Sequence, residues 1–317
     1  MKTIASFCLP AGKRAKLSIV IYHRVLPEAD HFLGDGSNID SFNRQLCYLT
    51  RNFNVLSLSE AVEHLRAATL PARAVCITFD DGYADNADIA LPILEKHGVA
   101  ATFFVATGFL NGGRMWNDTV IESFRRAQGN TIDLREIGLE CYTVATLEQR
   151  REALFSVIDK LKYLEPVIRQ SQVDKLAQII AAKLPDDLMM TSDQVKLLHD
   201  HGMEIGGHTV NHPILASTDE TTARTEIAQG KAHLETITGA PVRFFAYPNG
   251  KPGRDYLPIH VDIIRQLGFE AAVSTAWGAA CHDDDLFQLP RFTPWDRKEW
   301  AYVLRMVRNR YQQIQTA

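Results

Sequence analysis

Two short stretches carry the residues with the clearest capacity for chemistry. In ITFDDGYADN, residues 77–86, an apolar run ends on two adjacent carboxylates, Asp80 and Asp81, and Gly82 follows them. In GGHTVNHP, residues 206–213, His208 and His212 stand four apart. A first helical turn there would set both imidazoles on one face. Two neutral imidazoles and one carboxylate suit a zinc-like ion and leave a position open for water, the catalytic rather than the structural arrangement. Asp81 is the natural third ligand beside His208 and His212. Either motif alone is common, as a solvated turn or a chance HxxxH. Together they matter if the fold brings both to one place.

The surrounding pattern predicts such a fold. Short apolar runs at 17–23, 74–80, 100–106, 203–208, 242–248, 269–275 and 286–292 read as strands buried on both faces. Between them, 41–52, 86–98, 192–202 and 218–239 show helical spacing, and three of these four end at a glycine. Alternation of this kind predicts βα units closing a distorted barrel of about seven parallel strands. Residues 111–190 break the rhythm and read as two or three helices without a strand, a helical insertion within one catalytic barrel domain spanning 1–317. In such barrels the chemistry gathers at the strand ends. Those ends carry His23, Asp80 with Asp81, His208, Pro248 with Asn249, and Arg291.

Bulk properties narrow the partners. With 34 basic and 38 acidic residues the chain lacks the cationic excess that tracks phosphate, so nucleic acid is not expected as a partner. Five cysteines are scattered and never spaced CxxC, which points to reduced thiols. The N-terminal apolar stretch is broken by Pro10 and is too short for a membrane span, so a cytoplasmic location is expected.

TFDDGYADN, HTVNHP and FFAYPNG resemble the first three motifs of the polysaccharide deacetylases, the NodB-type carbohydrate esterases of family 4. The leading IYHRVLPE resembles the branch containing poly-N-acetylglucosamine deacetylases, and the resemblance spans about residues 72–292. It implies removal of acetyl from an N-acetylated amino sugar with one divalent metal, zinc first, or cobalt or nickel. Asp81, His208 and His212 would hold the ion, and Asp80 would be the general base, the alternative for Asp80 being a second ligand. The backbone N–H of Asn249 would face the developing oxyanion.

Two departures from the pattern need substitutes. Many relatives carry an arginine where this chain has Ala246, and a late Leu-x-His where it reads LPRF. Arg291 can reach across a closed barrel to Asp80, whereas Arg243 starts its strand and is expected to face solvent. His23 is the chosen general acid, because a barrel sets its first strand beside its last. Tyr83, Tyr247 and Trp277 are candidate substrate-binding residues, with Trp116, Asn117 and Trp295 in loops that could cover the site. The Arg- and aromatic-rich C-terminal segment suits peripheral contact with a membrane or an anionic glycan, or a last helix with arginines snorkelling over the core. Two other functions share these residues. One is a deformylase or deacylase of a lipid-linked sugar or small amide; the other is a silent glycan-binding relative.

Overall fold

The computed structural model describes residues 9–34 and 36–317. Its frame is a parallel sheet that begins with β1 (Ser18–Tyr22), buried throughout. α1 (Ile39–Asn52) follows, started by a reciprocal Asn38–Ser41 cap, then β2 (Asn54–Val55) and α2 (Leu58–Arg66), capped in the same way by Ser57 and Glu60. β3 (Ala74–Phe79) runs into the Asp80–Asp81 turn, a π-helical segment and α3 (Leu91–His97), and β4 (Thr102–Val105) comes next.

The inserted region holds α4 (Trp116–Arg126), β5 (Thr131–Asp133), β6 (Cys141–Thr143), α5 (Leu147–Lys162) and α6 (Pro166–Ile180). After it come α7 (Ser192–Asp200), β7 (Glu204–Gly207), α8 (Glu220–Thr238), β8 (Phe244–Ala246), α9 (Pro258–Gln266), β9 (Ala271–Val273) and α10 (Glu299–Asn309).

The strands lie in the order β1-β3-β4-β7-β8-β9, with β2 paired to the first residues of β3. The expected strand at 286–292 is instead a short 3₁₀ turn followed by single bridges, Leu289 to Val273 and Phe292 to Val20. These bridges close the curled sheet: Phe292 N–H donates to Ile19 O, and Leu289 N–H donates to Ala272 O. Pro290 lacks an N–H and limits the segment to isolated contacts.

Alternation sorts each strand between two cores. Val75, Ile77 and Phe79 join a core shared with α1, α3 and the later outer helices, while Ala74 and Cys76 face inward with Phe104, Phe244 and Ala246, against α2. Asp80 continues the inward series of Ala74, Cys76 and Thr78 and so opens at the barrel mouth. Gly206 is required by packing, since a Cβ there would come within 2.4 Å of the Phe104 ring.

The insertion differs from the helix-only expectation by one antiparallel hairpin, β5 with β6. Each strand buries only its middle residue, Ile132 and Tyr142, a half-buried alternation that helical periodicity conceals. The insertion packs its own apolar cluster, including Val120, Phe124, Leu154 and Leu176. Its two ends meet where Asn111 N–H donates to Met190 O. Among the described residues no helix is long and apolar enough to cross a membrane, and Cys47, Cys76, Cys141 and Cys281 are free thiols. Cys8 and the first apolar stretch lie outside the described residues.

Candidate active site

Asp81 and Gly82 both have left-handed backbones, φ 77° and 90°, and this tight turn brings the two aspartates to one cavity. A Cβ on Gly82 would come within 2.9 Å of Val105 Cγ1, so glycine is needed for room as well as for φ. Thr209, His212 and Asn249 also have positive φ, which concentrates backbone strain around this mouth. His208 and His212 do not share a helical turn as expected. They sit on an irregular loop after β7, where Thr209 and His212 reverse the chain and Thr209 Oγ1 accepts from the His212 N–H.

Three donor atoms converge there. His208 Nε2 and His212 Nε2 are 3.1 Å apart, and they stand 3.4 and 3.5 Å from Asp81 Oδ1. A tetrahedral ion with arms of about 2.0–2.1 Å spaces its ligands by roughly 3.3 Å, so this triangle fits such an ion. The tautomer agrees. His208 Nδ1 donates to Ala246 O at 2.7 Å, which leaves Nε2 as the lone-pair atom facing the other donors. Burial and the neighbouring His208 push His212 down to about 3, so it is a neutral donor at ordinary pH. Burial opposes charge on His208, but its Asp81 contact and the two aspartates outweigh that and raise it.

Asp80 stands outside the triangle, pinned from the other side. Arg291, fully buried, grips it with two bonds of 2.6 Å, and the same guanidinium donates to Thr78 Oγ1 and Ser274 O. Burial would raise the Asp80 carboxyl, but the Arg291 charge dominates and holds it below its ordinary value. Arg243 precedes β8, away from the mouth, as expected; it is half-exposed there and pairs with Glu270 at 2.6 Å.

The pocket over these groups is about 400 Å³ and is lined by His23, Asp80, Asp81, Tyr83, His208, His212 and Asn249. Trp116 and Asn117 also line it, from the first turn of α4 rather than from a loop. Asn249 holds φ 58° because Thr275 clamps the turn, with its hydroxyl on Asn249 O and its N–H on Gly250 O. His23 is exposed at the rim, whereas His282 pairs with Asp283 and does not line the pocket.

Two of the expected substrate residues lie elsewhere. Tyr247 falls on the outer face with Phe245 by strand alternation; it stacks on Tyr256 at 3.8 Å and donates to Phe287 O in the core. Trp277 borders a separate cavity with α10.

The sequence reading passed over four residues that matter. Arg24 pairs with Asp85 at 2.7 Å, and Asn86 donates to His23 O, which ties the loop bearing His23 to the turn after β3. Asp85 and Asn86 are the closing residues of the ADN tripeptide in the first quoted stretch, so their signal was contiguous with Asp80. Asp118, buried in the pocket wall, accepts from Tyr83 OH at 3.1 Å. Burial first, and then the Asp81 charge, push Asp118 up to about 7.

That shift has a sign. Between its unfolded value near 3.9 and about 7, the native chain keeps a proton on Asp118 that the unfolded chain has released. Its contribution to stability is therefore complete below about 4 and is lost as pH rises toward 7. In chelator-treated protein, Asp118→Asn is expected to gain on the order of 1–3 kcal/mol over the parent between pH 4 and 8 by urea unfolding. Parallel stability curves for the two proteins would contradict this reading.

Comparison with known proteins adds the lineage. The chain is 21% identical over 285 residues to YxkH of Bacillus subtilis (strain 168), which bears a polysaccharide deacetylase name; the match covers 88% of this chain and 71% of that one. Its fold is similar to the Streptococcus pyogenes deacetylase PplD, solved in complex with acetate, with TM-score 0.62, 22% identity and coverage of 92% and 98%. It is also similar to IcaB from Ammonifex degensii, with TM-score 0.60, 20% identity and coverage of 94% and 98%. These likenesses show the distorted (β/α) barrel. The polysaccharide deacetylase family model matches residues 67–137 and 156–272, more than half of the sequence, so the chain belongs to the polysaccharide deacetylase family.

Proposed function

We propose that this deacetylase hydrolyses the N-acetyl amide of an amino sugar within a polysaccharide, using one divalent ion at Asp81, His208 and His212. The observation that carries the reading is the triangle of three donors beside Asp80, a buried carboxylate held by Arg291 and left out of the triangle. Two imidazoles and one carboxylate favour zinc, with cobalt or nickel as substitutes. When bound, the ion supplies positive charge that acidifies water and polarises the acetyl carbonyl.

The protein's own groups do the rest. Asp80 takes a proton from the attacking water, and Arg291 keeps that carboxylate ionised and aimed. The Asn249 N–H faces the oxygen of the tetrahedral centre. As the C–N bond breaks, His23 gives its proton to the departing amine, and acetate and the free amino sugar leave. The site extends in two directions, as a polymer requires. A groove of about 890 Å³ shares Arg24 and Arg125 with the pocket, and another of about 1040 Å³ meets it at Trp116. Arg291 pairs with Asp80, the role the resemblance gives to an arginine where this chain has Ala246, and this weakens one ground for a silent relative.

His212→Ala is the direct test. Zinc content measured after dialysis, and acetate release from N-acetylglucosamine oligomers, should fall together to background. Full metal occupancy in that variant would remove His212 from the ligand set. Release of formate from an N-formylated sugar, with no acetate release by the parent, would favour the deformylase.

A further inference from the structure

Three of the four tryptophans, Trp277, Trp295 and Trp300, are 50%, 54% and 59% exposed, an unusual cost in uncovered indole. Trp277 and Trp300 border a cavity of about 320 Å³ where the segment after β9 meets α10. The cavity is not simply apolar. Asp296 and Arg305 pair with each other at its rim, and Arg305 covers Trp295 at 3.8 Å. Asn309, itself buried, borders it too; its Nδ2 donates to Gly278 O at 2.6 Å, while its Oδ1 has no partner among the described residues.

The geometry points to a second saccharide-binding site here, a platform on which pyranose rings stack against Trp277 and Trp300 and offer hydroxyls to Asp296 and Arg305. A pyranose presents an apolar C–H face and a rim of hydroxyls; an indole covers the first, and an ion pair serves the second. A patch seated in a membrane would instead present a helix face of apolar side chains with cations available to anionic headgroups. This one encloses a concavity, and of the two arginines that line it, Arg305 and Arg308, the first is paired with Asp296.

The platform also adjoins the catalytic pocket along the chain. Thr275 lines that pocket and Trp277 lies two residues on; Arg291 grips Asp80 and the next residue, Phe292, lines the platform. A polymer held at the platform keeps its neighbouring sugars at high effective concentration over Asp80. That the platform serves the enzyme's own polymer rests on the deacetylase reading; that it binds sugar does not.

The test is Trp277→Ala with Trp300→Ala, read by calorimetry against a β-linked N-acetylglucosamine hexamer and by acetate release. The double variant should lose one of two binding events, with that affinity weakened at least about tenfold. Its kcat/KM should fall about five- to twentyfold on a long soluble polymer and stay within about twofold on a trimer. Phenylalanine at both positions should restore most of the loss, which separates stacking from misfolding. Unchanged hexamer binding and an unchanged preference for polymer over trimer would overturn the platform. So would loss of binding to phosphatidylglycerol vesicles with saccharide binding intact, which would make the patch a membrane contact. If the parent itself releases no acetate, the deacetylase reading fails, and the calorimetric comparison alone still decides the platform.

Discussion

Asp80→Asn is expected to keep its metal and lose turnover by about 10² to 10⁴, the usual worth of a general base. The substitution preserves shape but removes the proton acceptor, and the donor triangle of Asp81, His208 and His212 does not include residue 80. Metal content and acetate release, measured on one preparation, separate the two roles. If affinity and rate decline in step, Asp80 is a ligand. The same measurements test the proposed general acid: His23→Ala should also retain metal but lose the alkaline fall of the pH–rate profile, whereas His282→Ala should stay within about twofold of the parent. A silent His23→Ala with a crippled His282→Ala would move the acid to the late loop.

Arg291→Met should be the most destabilising single change at the site. It removes a fully buried guanidinium and leaves Asp80 without its bidentate partner, the situation that costs about 3–5 kcal/mol when one member of a buried pair is deleted. A chain of this length should then melt roughly 4–8 °C lower. Activity should fall too, for a linked reason: with Arg291 gone, burial of Asp80 is opposed only by His208 and His23, so its carboxyl rises and a proton acceptor is lost from part of the molecules. The double variant Arg291→Met with Asp80→Asn should recover much of the lost stability and none of the rate, since it removes the stranded charge but also the base. A Tm unchanged in Arg291→Met would mean that the pair contributes nothing net.

These predictions differ in how far the sequence alone anticipates them. Asp80, Asp81 and His208 are legible because each ends a strand, and His212 because it stands four residues after His208; alternation along β3 already turns position 80 inward with Ala74, Cys76 and Thr78. Six of the seven expected strands appear for the same reason, as β-branched and aromatic runs buried on both faces. Arg291 was legible as a candidate at a strand end; its grip on Asp80, 211 residues away in sequence, exists only once the 289–292 segment bridges β9 to β1.

Where local pattern misled, a longer-range constraint prevailed. HxxxH suggested a helical turn, but the positive φ values of Thr209 and His212 make a loop that aims both Nε2 atoms at one point. Tyr247 ends a strand near the site, yet it shares the outer face with Phe245 and packs in the core. Trp277 follows β9 closely and is drawn instead to α10. Asp118 acquires its raised pKa only because the insertion folds α4 over the mouth, where burial and Asp81 act on it together. The sequence by itself determined which residue types stand at the strand ends, since period and turn chemistry are local. Which of them face one another was decided by closure of the sheet and docking of the insertion, because burial, charge pairing and donor spacing arise only between segments far apart in the chain.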